Sequence, residues 1–412
     1  MANSSMSIST FFRNRFVQVI IASSIFLQIG IWVRNFAILL FVMDKTNNDP
    51  VAVSLISVAE FAPIFIFSFI GGTFADRWRP KRTMVWCDLL SAISVFAVLL
   101  TIIFGTWQGV FFVTFISSIL SQFSQPSAMK LFKVHVPEEF LQTGMAIFQT
   151  LMSIFMIIGP MLGTIVFQKF GIDISIAVMG IAFLLSASVL TLLPSDEKVE
   201  RKEATTNFVE ELKEGFAYVW QERALTILGS VFATSGLAVG IIQPLGVFLI
   251  VERLGLPKEN LQILLMVNGA AMFVGGGLIM TVSKKIIPQK LLAIGLIVNA
   301  ISMVGMGLSS NWLVTLLFQF LNGFFMPCIQ IGINTLILKL TKSEFVGRVN
   351  GVLNPMFMGF MVITMSLTGW LKSQFSLSIL YIGAAVLFLL GAILTSLIFN
   401  VSPENQVDSV QE

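Results

Sequence analysis

Charge is scarce in this 412-residue chain: Asp, Glu, Lys and Arg make up only 11% of it, while 56% is hydrophobic. A soluble globular domain carries roughly 25% charged residues, so the composition excludes one, and the mean hydropathy of +0.90 agrees. Histidine occurs once, and the two cysteines, Cys87 and Cys328, fall near span ends. Side chains so few and so placed suggest neither a disulfide framework nor a metal site, and no cofactor is expected. The Gly-x4-Gly-Lys-Ser/Thr phosphate loop is missing from the sequence. This removes a pump that carries its own ATP site. No paired acids or clustered histidines occur in the apolar runs, so an enzyme is not expected either. The net charge of +3 comes from cations scattered over short loops, which offers nothing to nucleic acid.

What the chain has instead is long apolar runs, near 16–43, 51–71, 84–104, 109–129, 143–167, 172–193, 224–250, 261–281, 290–308, 313–337, 349–371 and 376–400. A membrane-crossing helix needs about 20 apolar residues and a barrel strand about 10. The runs therefore predict an all-α integral membrane protein of twelve transmembrane helices in two pseudo-symmetric six-helix bundles. The first run is too long for a signal peptide and no small-residue cleavage site follows it, so it is expected to stay as the first span. The expected organisation is a first bundle over 1–194, a linker over 195–223, a second bundle over 224–401 and a tail over 402–412. Within the linker, apolar residues at 208, 212, 215, 216, 219 and 220 recur at helical spacing, which predicts an amphipathic surface helix. The halves resemble each other: Glu139-Phe140 and Ala146 to Gln149 match Glu344-Phe345 and Gly351 to Asn354 at one constant offset. Such self-similarity is expected of a duplicated transporter with its site near the bilayer midplane.

Alternate connections hold nineteen and five of the Lys and Arg residues. Insertion retains cations on the cytoplasmic side, so both termini are expected there, in the cell membrane of a bacterium. The densest cluster lies in the stretch Gly71 to Arg82, between the second and third runs.

Only Arg34 and Glu60 lie deep in spans, each nine residues from the end its span shares with the other, or about 13 Å at 1.5 Å per residue. A lone charge there costs at least about 2.5–3.5 kcal/mol. A mutual ion pair would remove that cost. Two readings stay open: Glu60 as a proton carrier that competes with Arg34, or a permanent pair that locks the first two spans. Uncharged polar residues stripe other spans: Gln28 and Asn35; Gln122 and Gln125; Gln149; Gln243; Asn268; Gln319, Asn322 and Gln330; and Asn354. Such groups face protein or water rather than lipid, so they either line a polar cavity or bond helix to helix. Thirty-nine Phe and twenty Met supply adaptable apolar surface of the kind a bulky hydrophobic ligand needs.

Gly72, Asp76, Arg77, Lys81 and Arg82 resemble the signature loop of the major facilitator superfamily, with Arg79 and Pro80 departing from its usual Gly and basic residue. The counterpart after the eighth run, Gly275-Gly276-Gly277 to Lys284-Lys285, has no acid. Gly159, Pro160 and Gly163 are similar to part of the exporter motif of the same superfamily. Asp88, Ser124-Gln125-Pro126, Val136-Pro137-Glu138-Glu139 and Glu214-Gly215 resemble its macrolide-efflux-like branch of drug:proton antiporters. The resemblance implies proton-coupled export of hydrophobic or amphiphilic small molecules by alternating access. It also implies that Asp76 and Asp88 belong to a cytoplasmic gate. The expected partners are a small-molecule substrate, protons and the lipid bilayer, with the chain acting as a monomer. An exporter of one endogenous metabolite, siderophore or lipid is the nearest alternative, and a non-transporting sensor or scaffold a more distant one.

Overall fold

The computed structural model describes residues 14–77, 79–104, 106–136, 138–194, 208–283 and 285–399. These form helices α1 (Arg15–Lys45), α2 (Pro50–Arg77), α3 (Pro80–Ile103), α4 (Gly109–His135), α5 (Glu138–Thr191), α6 (Phe208–Gln221), α7 (Arg223–Phe248), α8 (Leu261–Ser283), α9 (Pro288–Leu308), α10 (Trp312–Leu340), α11 (Val346–Gln374) and α12 (Leu377–Phe399). Ten stretches among the described residues are long and apolar enough to cross a membrane, and Gly109–Ser124 is a shorter apolar helix. One of the ten, Ile147–Thr191, has 45 residues, about twice what one crossing needs. It is broken at Gly171, where φ is 74° and ψ −173°, a backbone region essentially open only to glycine. With the two arms of α5 taken separately, the twelve expected crossings are present, six before α6 and six after it. The fold is that of an all-α integral membrane protein.

The helix ends follow from local chemistry. Asp49 accepts from the amides of Val51 at 3.1 Å and Ala52 at 3.4 Å, and Asn311 accepts from Leu313 and Val314; each satisfies amides that a helix start leaves bare. Pro50, Pro80 and Pro288 each occupy the first helical position, where a missing N–H costs nothing. Pro80 also shapes the motif that the sequence marked as a loop. Proline drives the residue before it out of the helical region, and Arg79 is extended at φ −74°, ψ 111°. The connection is shorter than the apolar runs suggest: α2 continues through Asp76 to Arg77, and α3 begins at Pro80. A helix satisfies its own backbone regardless of side-chain polarity, so it need not stop where the apolar run stops.

The chain packs as two compact units, residues 1–45 with 66–203, and 46–65 with 204–412. The boundary near 203 falls inside the expected linker, while the first part of α2 packs with the second unit. In unit 1, Phe16, Val17, Val19 and Ile20 of α1 meet Met84, Leu131, Leu190 and Leu193 in one buried cluster. In unit 2, Ile279, Leu291 and Cys328 form another. Both cysteines are buried packing residues.

Candidate functional site

Unit 1 is built on the seam between α1 and α5. The resemblance marked Gly159, Pro160 and Gly163 as an exporter motif; the structure puts the two glycines against α1. A Cβ on Gly163 would lie 2.6 Å from the Trp32 carbonyl oxygen and 2.7 Å from Phe36 Cβ, and one on Gly159 would meet the Trp32 ring. Pro160 is buried beside them. Trp32 and Phe36 stack at 6.0 Å between centroids and flank Arg34, which is 4% exposed. Arg34 Nε donates to Asn35 Oδ1 at 3.0 Å. Glu60 is half-buried in the 46–65 segment of unit 2.

The gate motif is only partly within the described side chains: those of Gly72, Asp76 and Arg77 fall outside them. Lys81 and Asp88 reach the second arm of α5. Lys81 Nζ donates to the Thr191 carbonyl at 2.9 Å and to that of Leu193, which satisfies carbonyls a helix end leaves bare and sets a cation where the helix dipole favours one. Asp88 is 2% exposed and accepts from Ser186 Oγ at 2.6 Å. Ser124 of α4 bonds it too, and Ser186 is joined in turn to Ser23 of α1 at 2.9 Å. Arg82 is exposed. Sequence reasoning singled out Asp88 but missed Ser23 and Ser186. A lone serine in an apolar span looks like any other small packing residue.

The polar stripes divide into two sorts. In unit 2, Asn268 of α8 donates to Asn322 of α10 at 3.0 Å, Asn322 donates to Asn299 of α9, and Asn268 also reaches the Gln319 carbonyl at 3.4 Å. The amides of Asn268, Asn322 and Asn299 tie three helices together, so Asn268 and Asn322 bond helix to helix, while Gln319 is buried and takes part through its backbone carbonyl. Asn299, 3% exposed, was not singled out, although the rule that found the others, an amide inside an apolar span, applies equally to it. In unit 1, Gln28 is buried against the Met152 sulfur; Gln122, partly buried, bonds Ser121 of its own helix. The Gln125 side chain lies outside the described set. Gln149, Gln243, Gln330 and Asn354 are exposed on apolar helices.

The amphipathic linker helix is present as α6. Its Glu214 pairs with Arg348 at 3.0 Å, and Tyr218 stacks on Phe345 with centroids 4.5 Å apart and planes 9° from parallel. The Tyr218 hydroxyl accepts from the Lys342 amide at 3.2 Å. One face of α6 is thus fastened to the turn into α11, while Phe216 and Trp220 stack on each other in the open. A crevice in unit 1, lined by Val17, Ile20, Ile21, Phe132, Phe148 and Leu151, is almost wholly apolar and holds none of the predicted polar residues.

Among the described residues no His, Cys, Asp and Glu side chains group as a metal site would require. The family model described as Major Facilitator Superfamily matches residues 20–306 and again 228–412. The chain is 25% identical over 394 residues to the uncharacterized MFS-type transporter YkuC of Bacillus subtilis (strain 168), covering 92% of this chain and 91% of that one. It is also 25% identical over 341 residues to macrolide efflux protein A of Streptococcus pyogenes, covering 77% of this chain and 79% of that protein. A crystal structure of the nucleoside transporter NupG superposes with a TM-score of 0.78 at 13% identity, over 94% of this chain and all 100% of that one. At that identity the match speaks for the fold alone.

Proposed function

Because the chain belongs to the Major Facilitator Superfamily and is thus a secondary transporter rather than an enzyme, we propose that it exports hydrophobic or amphiphilic small molecules in exchange for protons, by alternating access. The observation that carries this reading is the exposure of Gln149, Gln243, Gln330 and Asn354 on helices that are otherwise apolar. Hydrocarbon does not accept such amides. In each unit they fit surface that faces water instead, with the many Phe and Met side chains supplying adaptable apolar contact. The likeness to macrolide efflux protein A supports the direction of transport and the class of substrate. The lysine and arginine distribution supports a cytoplasmic-membrane orientation with both termini inside.

In this scheme Glu60 carries the proton, and Arg34 is the other deep charge taking part in coupling. Protonation changes the relative stability of the inward-open and outward-open states, and the substrate shifts the same equilibrium. The gate role implied by the family motif falls to Asp76 and Asp88, with Lys81 holding the end of α5.

The test is uptake of lipophilic cations and macrolides into inverted membrane vesicles under an imposed proton gradient, for wild type and Glu60→Gln. Gradient-driven uptake by the wild type, lost in the variant, is expected. Undiminished gradient dependence in Glu60→Gln would remove the coupling role. Uptake confined to a single metabolite would replace the broad substrate class with a narrow one.

A further inference from the structure

Asp88 is a buried carboxyl to which the coupling scheme above gives no part in proton binding. It lies eight residues into α3, about 12 Å from the helix start at 1.5 Å per residue, and is 2% exposed. Its recorded partners are hydroxyls: Ser186 Oγ at 2.6 Å and Ser124. Ser186 also bonds the Ser23 hydroxyl at 2.9 Å and the Ser23 carbonyl at 3.2 Å. Ser23, Ser124 and Ser186 are themselves buried, at 3%, 3% and 0%. One carboxyl therefore ties four helices, α1, α3, α4 and α5, through neutral groups.

The charged groups of the surrounding helices are engaged or placed elsewhere. Lys81 on α3 is spent on the Thr191 and Leu193 carbonyls, and Arg82 is exposed. Lys130 on α4 is six residues past Ser124, about 9 Å along the helix. On α5, Lys169 and Asp173 flank the break at Gly171, at least thirteen residues from Ser186, or about 20 Å. On α1, Arg34 is eleven residues from Ser23, about 16 Å. Arg15, Asp44 and Lys45 lie at the helix ends. Cys87 is the adjoining thiol. The side chains of Lys133, His135, Glu138 and Glu139 are outside the described set. Among the described residues no cation pairs with Asp88.

A carboxylate buried against hydroxyls, as Asp88 is among the described residues, is costly in its charged form and is relieved by binding a cation. A proton is the cation that fits without disturbing the 2.6 Å contact with Ser186. We propose that Asp88 is a proton-binding site of the first unit, neutral in the packed arrangement seen here. When α1, α3, α4 and α5 separate enough to admit water, the carboxyl O–H bond breaks and water takes the proton. Repacking requires the proton back, so the charge state of Asp88 and the packing of the four helices are linked. As a coupling element this rests on the proton-driven reading above; as a binding site it stands independently.

Infrared difference spectroscopy of the purified chain in nanodiscs, titrated with pH in the absence of substrate, tests it. The expected result is one protonated-carboxyl band per chain that disappears as pH rises and is absent in Asp88→Asn. In Ser186→Ala, which keeps the carboxyl, the band should move to higher frequency because a hydroxyl no longer donates to the carbonyl. A band unchanged in both variants, or a carboxylate at every pH, overturns the proposal. Loss of the band on adding sodium at constant pH also overturns it, in favour of an alkali-cation site. Export assayed in parallel separates the two ideas: gradient-driven export without the Asp88 band sinks this site alone, and the band without gradient-driven export sinks the coupling reading alone.

Discussion

Gly163→Ala tests whether the α1–α5 seam is held by backbone contact. The added methyl would stand 2.6 Å from the Trp32 carbonyl oxygen and 2.7 Å from Phe36 Cβ, where nonbonded atoms settle at about 3.5–4.0 Å. A backbone carbonyl cannot rotate aside like the tip of a side chain. Relief therefore means shifting α1 off α5 by roughly 1 Å. Overpacking of this kind costs about 1–3 kcal/mol, while alanine in place of a helical glycine returns about 1 kcal/mol. The net effect is destabilisation of up to about 2 kcal/mol. Gly351→Ala is the matched control, since a Cβ there meets nothing within 4 Å and only the favourable propensity difference acts. Both cysteines are buried, so a thiol-reactive dye added during a thermal ramp reports unfolding directly. Gly163→Ala is expected to unfold below wild type and Gly351→Ala at or above it. If Gly163→Ala melts as high as Gly351→Ala, the seam is not the rigid contact described.

Two further substitutions probe unit 2. Asn322→Leu cuts the chain of amides through Asn268, Asn322 and Asn299 and should cost about 1–2 kcal/mol in the same dye assay, whereas Gln330→Leu, at an exposed position, should leave the melting temperature nearly unchanged while altering transport. Tyr218→Phe keeps the ring stack on Phe345 and loses only the acceptor for the Lys342 amide; Tyr218→Ala loses both, the stack alone contributing about 0.5–1.5 kcal/mol. Hydrogen exchange across 208–221 should therefore quicken in two steps, and equal rates in the two variants would show that the aromatic contact does not hold α6.

The number of crossings, the repeat of six and six, and the linker helix were legible because each rests on local composition. A span needs a run of apolar residues, and an amphipathic helix needs a period, whatever surrounds them. Gly171 shows the limit of that reading. The polar interval before residue 172 marked a boundary, but the arms of α5 join without a loop because glycine alone supplies the turn. The motif from Gly71 to Arg82 was legible as a signature, yet its connection proved shorter, since α2 continues to Arg77 and Pro80 starts α3. The polar residues divide most sharply. Asn268 and Gln330 look alike in sequence, each an amide among apolar neighbours, but one is bonded across helices and the other exposed.

Sequence alone determined that this chain crosses the membrane, how often, and to which family its motifs point, because hydropathy and motif spacing are properties of neighbouring residues. Tertiary packing decided what each polar group does. Asp88 became the centre of a four-helix cluster only when Ser124 and Ser186 were brought within hydrogen-bond reach of it and Ser186 within reach of Ser23, 163 positions away. Gly163 became a contact only when the Trp32 carbonyl was laid against it. Contacts of this kind depend on how helices rotate about their axes as they pack, and nothing local to either partner specifies that rotation.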